Sequence, residues 1–345
     1  MCRTCAPRVG GLEAAVSGLA RAQVARGHRV RVVTLVDPGL EPTIAGVEVV
    51  ALPRIGPRRY PLARGLVGAV RGADLVHVHG LDGLLDLLVA QRRAVGAPIG
   101  VSTHGGYFHT PRHRWVKAAW LRTGTRWSLG RADAVWFTSE ADRDLLRPAT
   151  VRGAVLENGV DVERFAGVVR RPEPGRWLVL GRIDVHKGIE ALVDALPHAD
   201  RTVRIDLVGP ESAPGLMAAL CSRATALGVS DRIRFLGALT GGDLLEALGR
   251  ADRLVLPSRH EGFGLAAVEG MAAGVPVVLS DIPAFRRHRG VARIVSFADP
   301  AAAARAVGAP MEAGWATRAA AHAATFGWAV RSAAFERAYA PLVAQ

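Results

Sequence analysis

The chain is poor in cysteine and has no long apolar run. Cys2 and Cys5 form a single CxxC, and Cys221 stands alone. A structural zinc site takes four ligands, and a thioredoxin-like CxxC opens a helix after a strand. Neither context surrounds these residues, which argues against both chemistries, and so few cysteines suit a reducing compartment. Apolar stretches such as GLLDLLVA and VPVVLS are interrupted by charge or proline. They fall short of the roughly eighteen residues that a membrane span needs. MCRTCAPRVGG lacks an apolar core and does not read as a signal peptide. No G-x-G-x-x-G follows a strand pattern, which argues against a dehydrogenase of the Rossmann type. No DxD motif has a clear metal role, and repeats, low-complexity tracts and known nucleic-acid motifs are all missing. The expectation is a soluble, cytoplasmic enzyme or binding protein with no metal ligands and no obligatory cofactor.

What is present is a chain of 345 residues, 50% apolar, which is enough for two ordinary domains. Of the formal net charge of +13, +10 falls on residues 1–170 and +3 on the rest. A basic half-protein attracts phosphates, whether on nucleic acid, anionic lipid or a nucleotide-linked metabolite. Short β-rich runs alternate with helix-length segments, the pattern of parallel α/β layers. In the first half the strands are predicted at 29–35, 47–53, 75–80, 98–105, 134–139 and 154–160, with helices at about 11–26, 62–71, 82–95, 111–130 and 140–147. In the second half they fall at 176–182, 203–209, 233–237, 253–258, 275–280 and 292–297. GVVRRPEPGR, with its charge, prolines and glycines, marks the boundary. The predicted domains are 1–167 and 168–325, both doubly wound, with a terminal helix at 326–345 packing back toward the first. Ligands of such sheets bind at the carboxyl ends of strands, so a shared ligand is expected in a cleft between the domains.

The start of the chain is anomalous. A doubly wound domain normally opens with a buried strand, yet APRVGG reads as a turn running straight into a helix. The expectation is that the first strand is missing, through truncation or a misassigned start, with residues 1–5 as its only alternative remnant.

The segment HEGFGLAAVEG carries the most specific chemistry. Strand RLVLPS ends near Ser258 and a helix begins near Gly264. Glycines there let the backbone approach a ligand and aim free N–H groups outward. The helix N-terminus adds about half a positive charge that favours phosphate or hydroxyl oxygens. Glu261 in the turn and Glu269 over a helical turn later can reach separate hydroxyl-bearing parts of one ligand.

This E-x7-E stretch resembles the signature of retaining glycosyltransferases of the GT-B fold, the large group 1 or family 4. Further blocks resemble the family in order: APRVGGLEAAVSGLARAQVARGHRVRVVT, LVHVHG with STHGG, ENGVDVERF and LGRIDVHKG. The resemblance covers nearly the whole chain. It implies that Glu261 binds hydroxyls of a donor sugar and Glu269 the ribose of its nucleotide. It implies that Arg182 and Lys187 hold the diphosphate, as leaving-group chemistry requires, since fixed cations offset the charge that builds there. Gly10 and Gly11 would lie against the diphosphate from the first domain, donating amides. The loop through Gly262, Phe263, Gly264 and Leu265 would supply more. His104 ends strand PIGVSTHG, where α/β sheets place ligands, and the resemblance puts it near the reacting carbon.

On the acceptor side, His109, Arg112, Arg114 and Lys117 open a segment that goes on through Arg122, Arg126 and Arg131, interleaved with Trp115, Trp120 and Trp127. Two readings stay open. One is a membrane interface or phosphorylated acceptor; the other is a buried tryptophan stripe with a solvated basic face. The THGGYFHT block resembles mannosyltransferases that extend polyprenyl-diphosphate sugars. The sequence departs from many family members after VPVVLS, where SDIPAFRRH replaces a Gly-Gly and later Glu, leaving the wall of the donor pocket and the choice of base open. The expected function is retaining transfer of a hexosyl unit from a nucleotide-diphosphate sugar, GDP-mannose or a UDP-sugar, to a glycan, lipid-linked or small-molecule acceptor. Peripheral contact with an anionic membrane at its inner face is part of this reading, and nucleic acid is not. A sugar-nucleotide epimerase or glycan phosphorylase is the enzymatic alternative, and a basic nucleic-acid-binding protein the non-enzymatic one.

Overall fold

The computed structural model describes residues 1–7, 10–36, 39, 41–57, 60–104 and 114–344. The chain forms two compact units, Met1–Val160 with Trp328–Gln345, and Asp161–Gly327.

In the first unit the strands are β1 (Arg31–Leu35), β2 (Glu48–Leu52), β3 (Arg54–Ile55), β4 (Leu62–Ala63), β5 (Val76–His79), β6 (Ile99–Ser102), β7 (Ala134–Phe137) and β8 (Ala154–Val155). β1 and β2 pair in parallel, and β5 to β8 form a parallel sheet in chain order. β6 is buried along its whole length, as a sheet covered on both faces requires. The β3–β4 pair is antiparallel and only two residues long. It replaces the start of the helix expected from residue 62, because a ladder that short leaves no periodicity to read.

Met1 and Cys2 link the two parallel groups. The Cys2 N–H donates to the Val33 carbonyl at 3.1 Å and the His79 N–H to the Met1 carbonyl at 2.8 Å. The Met1 ammonium donates to the His77 carbonyl at 2.7 Å. Among the described residues the single bridge Cys2–His79 is all that stands between β1 and β5. Alongside it runs a cavity of about 880 Å³, lined by Arg31–Val33 on one edge and Leu75–His77 on the other.

The C-terminal helix, Trp328–Val343, belongs to this unit and packs on the first helix, Gly11–Ala25. Its Trp328 indole lies against Gly18 and Gly159, where any Cβ would collide with the ring. Phe335 is buried with Leu19, Trp136 and Leu156.

The second unit holds one parallel sheet of β9 (Arg176–Leu180), β10 (Arg204–Val208), β11 (Ile233–Gly237), β12 (Arg253–Leu256), β13 (Val277–Ser280) and β14 (Arg293–Val295). Its order is β11-β10-β9-β12-β13-β14. The chain steps outward from β9 to β11 and then crosses to the far side of β9. The carboxyl ends of β9 and β12 therefore diverge into loops that leave in opposite directions, the place where such sheets bind ligands. Trp177, Val179, Leu192, Leu207 and Val255 lie in the core beneath. Every strand read from the sequence is present within about three residues of its expected ends except the one expected at 154–160, of which only Ala154–Val155 pairs as β8.

Candidate active site

Two loops meet at that reversal. After β9 the chain passes Gly181 and Arg182 into a 3₁₀ turn, Val185–Lys187. Asp184 caps the turn, accepting from the His186 N–H at 3.2 Å and bonding His186 Nδ1 at 2.6 Å. The His186 carbonyl then accepts the Arg259 N–H at 2.8 Å and the His260 N–H at 3.2 Å, both from the loop after β12. Backbone hydrogen bonds thus clamp the two loops together. Gly188 sits against the Pro257 carbonyl with no room for a Cβ.

This clamp brings Lys187 to Glu261, and the two pair directly. The Ser258 hydroxyl donates to the same carboxylate oxygen, Glu261 Oε1, at 3.0 Å. Three residues on, Gly264 (φ 82°) caps the helix Leu265–Ala272, and a Cβ there would stand 2.5 Å from the Phe285 ring. Phe263 is buried between the Phe326 ring, edge-on at 5.6 Å between centroids, and the Arg287 guanidinium, 4.8 Å from the ring centre. Leu265 is half-buried, and Gly262 has open space where a Cβ would be. Glu269 lies about one turn along the helix. Desolvation raises its carboxyl to about 7, against the opposing charges of Arg164 and Lys187. Lys187 therefore acts on both glutamates. Arg182 stands at the same sheet end, exposed, with no ion pair among the described residues.

In the first unit, His104 follows β6 with φ 50°, a left-handed backbone uncommon for a residue with a Cβ. Burial pushes its imidazole down to about 4, so it is neutral at physiological pH. Its Nε2 is 3.1 Å from Nδ1 of His79, at the end of β5. Gly10 and Gly11 open the first helix with extended backbone at Gly10 (φ 174°). The Glu13 carboxylate folds over Gly10 and accepts the Thr4 hydroxyl at 2.5 Å. An anion approaching these glycines meets that carboxylate.

Of the acceptor-side residues, His109 and Arg112 lie outside the described residues, and only the backbone of Arg114 is described, at the start of the helix Arg114–Trp120. Lys117 is half-buried on that helix. Trp115 is 76% exposed, Val116 69% and Trp120 46%, so the buried-stripe alternative gives way to an exposed aromatic and basic face. Thus the structure gathers Lys187, Glu261 and Glu269, and holds Gly262–Leu265 beside them. Sequence reasoning passed over His79, Glu13, Ser258, Arg164 and Arg287. Only His79 left a signal, the alternating histidines of HVH in an otherwise apolar strand. Among the described residues no three His, Cys, Asp or Glu side chains cluster as a metal site, and no helix is long and apolar enough to cross a membrane.

Parallel α/β units with cations and carboxylates at a reversal of strand order define a GT-B glycosyltransferase, and comparison with known proteins agrees. The family model described as Glycosyltransferase Family 4 matches residues 9–164, and that described as Glycosyl transferases group 1 matches 174–312. The GDP-mannose:cellobiosyl-diphosphopolyprenol alpha-mannosyltransferase of Xanthomonas campestris is 39% identical over 301 residues, covering 81% of this chain and 77% of its own. The protein of the same description from Komagataeibacter xylinus is 35% identical over 83% of this chain and 76% of its own. Among solved structures, Anabaena Alr3699/HepE in complex with UDP and glucose superposes with a TM-score of 0.78 at 19% identity, over 98% of both chains. The chain belongs to the group 1, family 4 glycosyltransferases.

Proposed function

We propose that the protein transfers a mannosyl unit from GDP-mannose, with retention at the anomeric carbon, to a hydroxyl of a glycan carried on a polyprenyl diphosphate. The observation that carries this reading is the 39% identity, over 81% of the chain, to a mannosyltransferase with that donor and class of acceptor. The geometry fits the chemistry. Lys187 and Arg182 offset the charge that develops on the departing diphosphate, where low dielectric strengthens each contact. Glu261 takes sugar hydroxyls and Glu269 the ribose hydroxyls, with Gly262–Leu265 supplying backbone amides. Gly10 and Gly11 meet the diphosphate from the first unit, which requires Glu13 to swing away. His104, neutral in its desolvated position, bonds an oxygen near the reacting carbon. The departing phosphate oxygen takes up the acceptor proton, so the reading needs no further carboxylate base. The acceptor diphosphate is assigned to His109, Arg112, Arg114 and Lys117 by their charge and place in the sequence. The exposed Trp115, Val116 and Trp120 seat that segment in the headgroup layer of an anionic membrane, at its cytoplasmic face.

The test is a donor panel. Purified protein is incubated with a short-chain polyprenyl-diphosphate disaccharide and GDP-mannose, UDP-glucose, UDP-galactose or ADP-glucose, and glycolipid products are resolved by mass. Mannosyl transfer from GDP-mannose alone supports the reading. Turnover of a UDP-sugar in its place overturns the donor, and isomerised sugar formed without acceptor overturns the transfer.

A further inference from the structure

The histidine at the end of β6 is built into a network that no sequence motif announced. Strands β5 and β6 are paired in register, with His77 opposite Gly100 and His79 opposite Ser102. Both nitrogens of His77 are engaged: Nδ1 with the Tyr339 hydroxyl at 2.7 Å and Nε2 with the Ser102 hydroxyl at 2.8 Å. The Gln23 amide donates to the same Tyr339 hydroxyl at 3.3 Å. With its orientation fixed from both ends, the His77 ring lies against the His79 ring at 4.0 Å between centroids, tilted by 32°. His79, buried, then bonds His104 Nε2 through Nδ1 at 3.1 Å. The residue before His104 is held as firmly. The Thr103 N–H donates to the Trp136 carbonyl at 3.0 Å, and its hydroxyl to the buried Asp142.

His104 keeps a left-handed backbone that costs of order 1 kcal/mol, and such strain persists only where the surroundings over-determine it. A neutral imidazole has one donor and one acceptor nitrogen, and the hydrogen bond made by one decides the role of the other. Burial holds His77 and His79 well below the ordinary histidine range. His77 and His79 therefore meet their neighbours as neutral rings at neutral pH.

We propose that His79 is the positioning residue of the transfer reaction: its Nδ1 pins Nε2 of His104, fixing ring and tautomer so that Nδ1 of His104 alone meets the oxygen of the reacting sugar nucleotide. His79 touches no substrate in this arrangement and acts through its neighbour. The inference rests on the reading of His104 given above.

The test separates the two. Protein labelled with ¹⁵N at histidine shows, in the wild type without ligand, one neutral tautomer for His104, assigned with His104→Gln. In His79→Leu that signature becomes a mixture, kcat falls about 10- to 100-fold, and KM for the nucleotide sugar stays within about twofold. His79→Asn keeps an amide able to donate or accept near the Nδ1 position, and restores both the single tautomer and most of kcat. Wild-type His104 exchanging between tautomers overturns the proposal even if His79→Leu fails to fold. So does a His79→Leu enzyme with unchanged kcat and spectrum. Full activity in His104→Gln sinks the role of His104 instead, and leaves the tautomer result to stand or fall by itself.

Discussion

Lys187 and Glu261 neutralise one another across the loops that follow β9 and β12. In the proposed reaction Lys187 holds the diphosphate and Glu261 the sugar hydroxyls, so their substitution effects differ in kind. In Glu261→Ala, Lys187 is released to the diphosphate. GDP affinity by calorimetry should hold or tighten, while kcat falls about 100-fold or more through loss of the hydroxyl contact. In Lys187→Ala both GDP affinity and kcat should fall, and Glu261 is left half-buried without its cation. Parallel losses of GDP affinity in the two variants would refute separate roles.

Glu269 links stability to pH. Its carboxyl is raised from the usual range near 4.3 to about 7 in the folded protein, so the folded state binds more protons than the unfolded one between those values. The group therefore weighs against folding as pH rises through that window, and by a constant amount above it. Glu269→Gln should be more stable than the wild type by about 1–3 kcal/mol at pH 8 and nearly equal at pH 4. The same variant should bind GDP more weakly. Urea melts across pH check the first part, and a stability gap that does not widen between pH 4 and 7 contradicts it.

The glycines of the loop after β12 separate folding from binding. A Cβ at Gly264 would meet Phe285 and stand on a left-handed backbone, so Gly264→Ala should cost about 2–4 kcal/mol in a denaturant melt. A Cβ at Gly262 meets nothing. Gly262→Ala should melt within about 0.5 kcal/mol of the wild type and still lose activity, because in the proposed reaction the donor approaches that backbone.

The exposed aromatic and basic helix predicts sedimentation with phosphatidylglycerol vesicles that weakens in high salt. Trp115→Ser with Val116→Ser should remove most of the partitioning, and Arg122→Ala should lower it about fivefold, while neither alters GDP binding. Equal partitioning onto neutral vesicles would point to apolar adhesion alone.

How much of this was legible in sequence depends on where each signal lives. VVLS and RLVL announce buried parallel strands because both faces of a covered sheet demand apolar residues in succession. The pair Glu261 and Glu269 was legible because loop and helix spacing is local. The pairing of Lys187 with Glu261 was not, since it depends on the order of strands in a sheet, which no single stretch encodes. His79 stayed hidden for the same reason: its partner is 25 residues away and is turned toward it by one strained backbone angle. The β3–β4 ladder was missed because two residues on each side carry no pattern.

The nitrogen of Met1 is already spoken for by the His77 carbonyl, at the inner end of the cavity beside β1. Anything fused ahead of it must begin by threading that slot, competing with Arg31–Val33 and Leu75–His77 for space and for backbone partners.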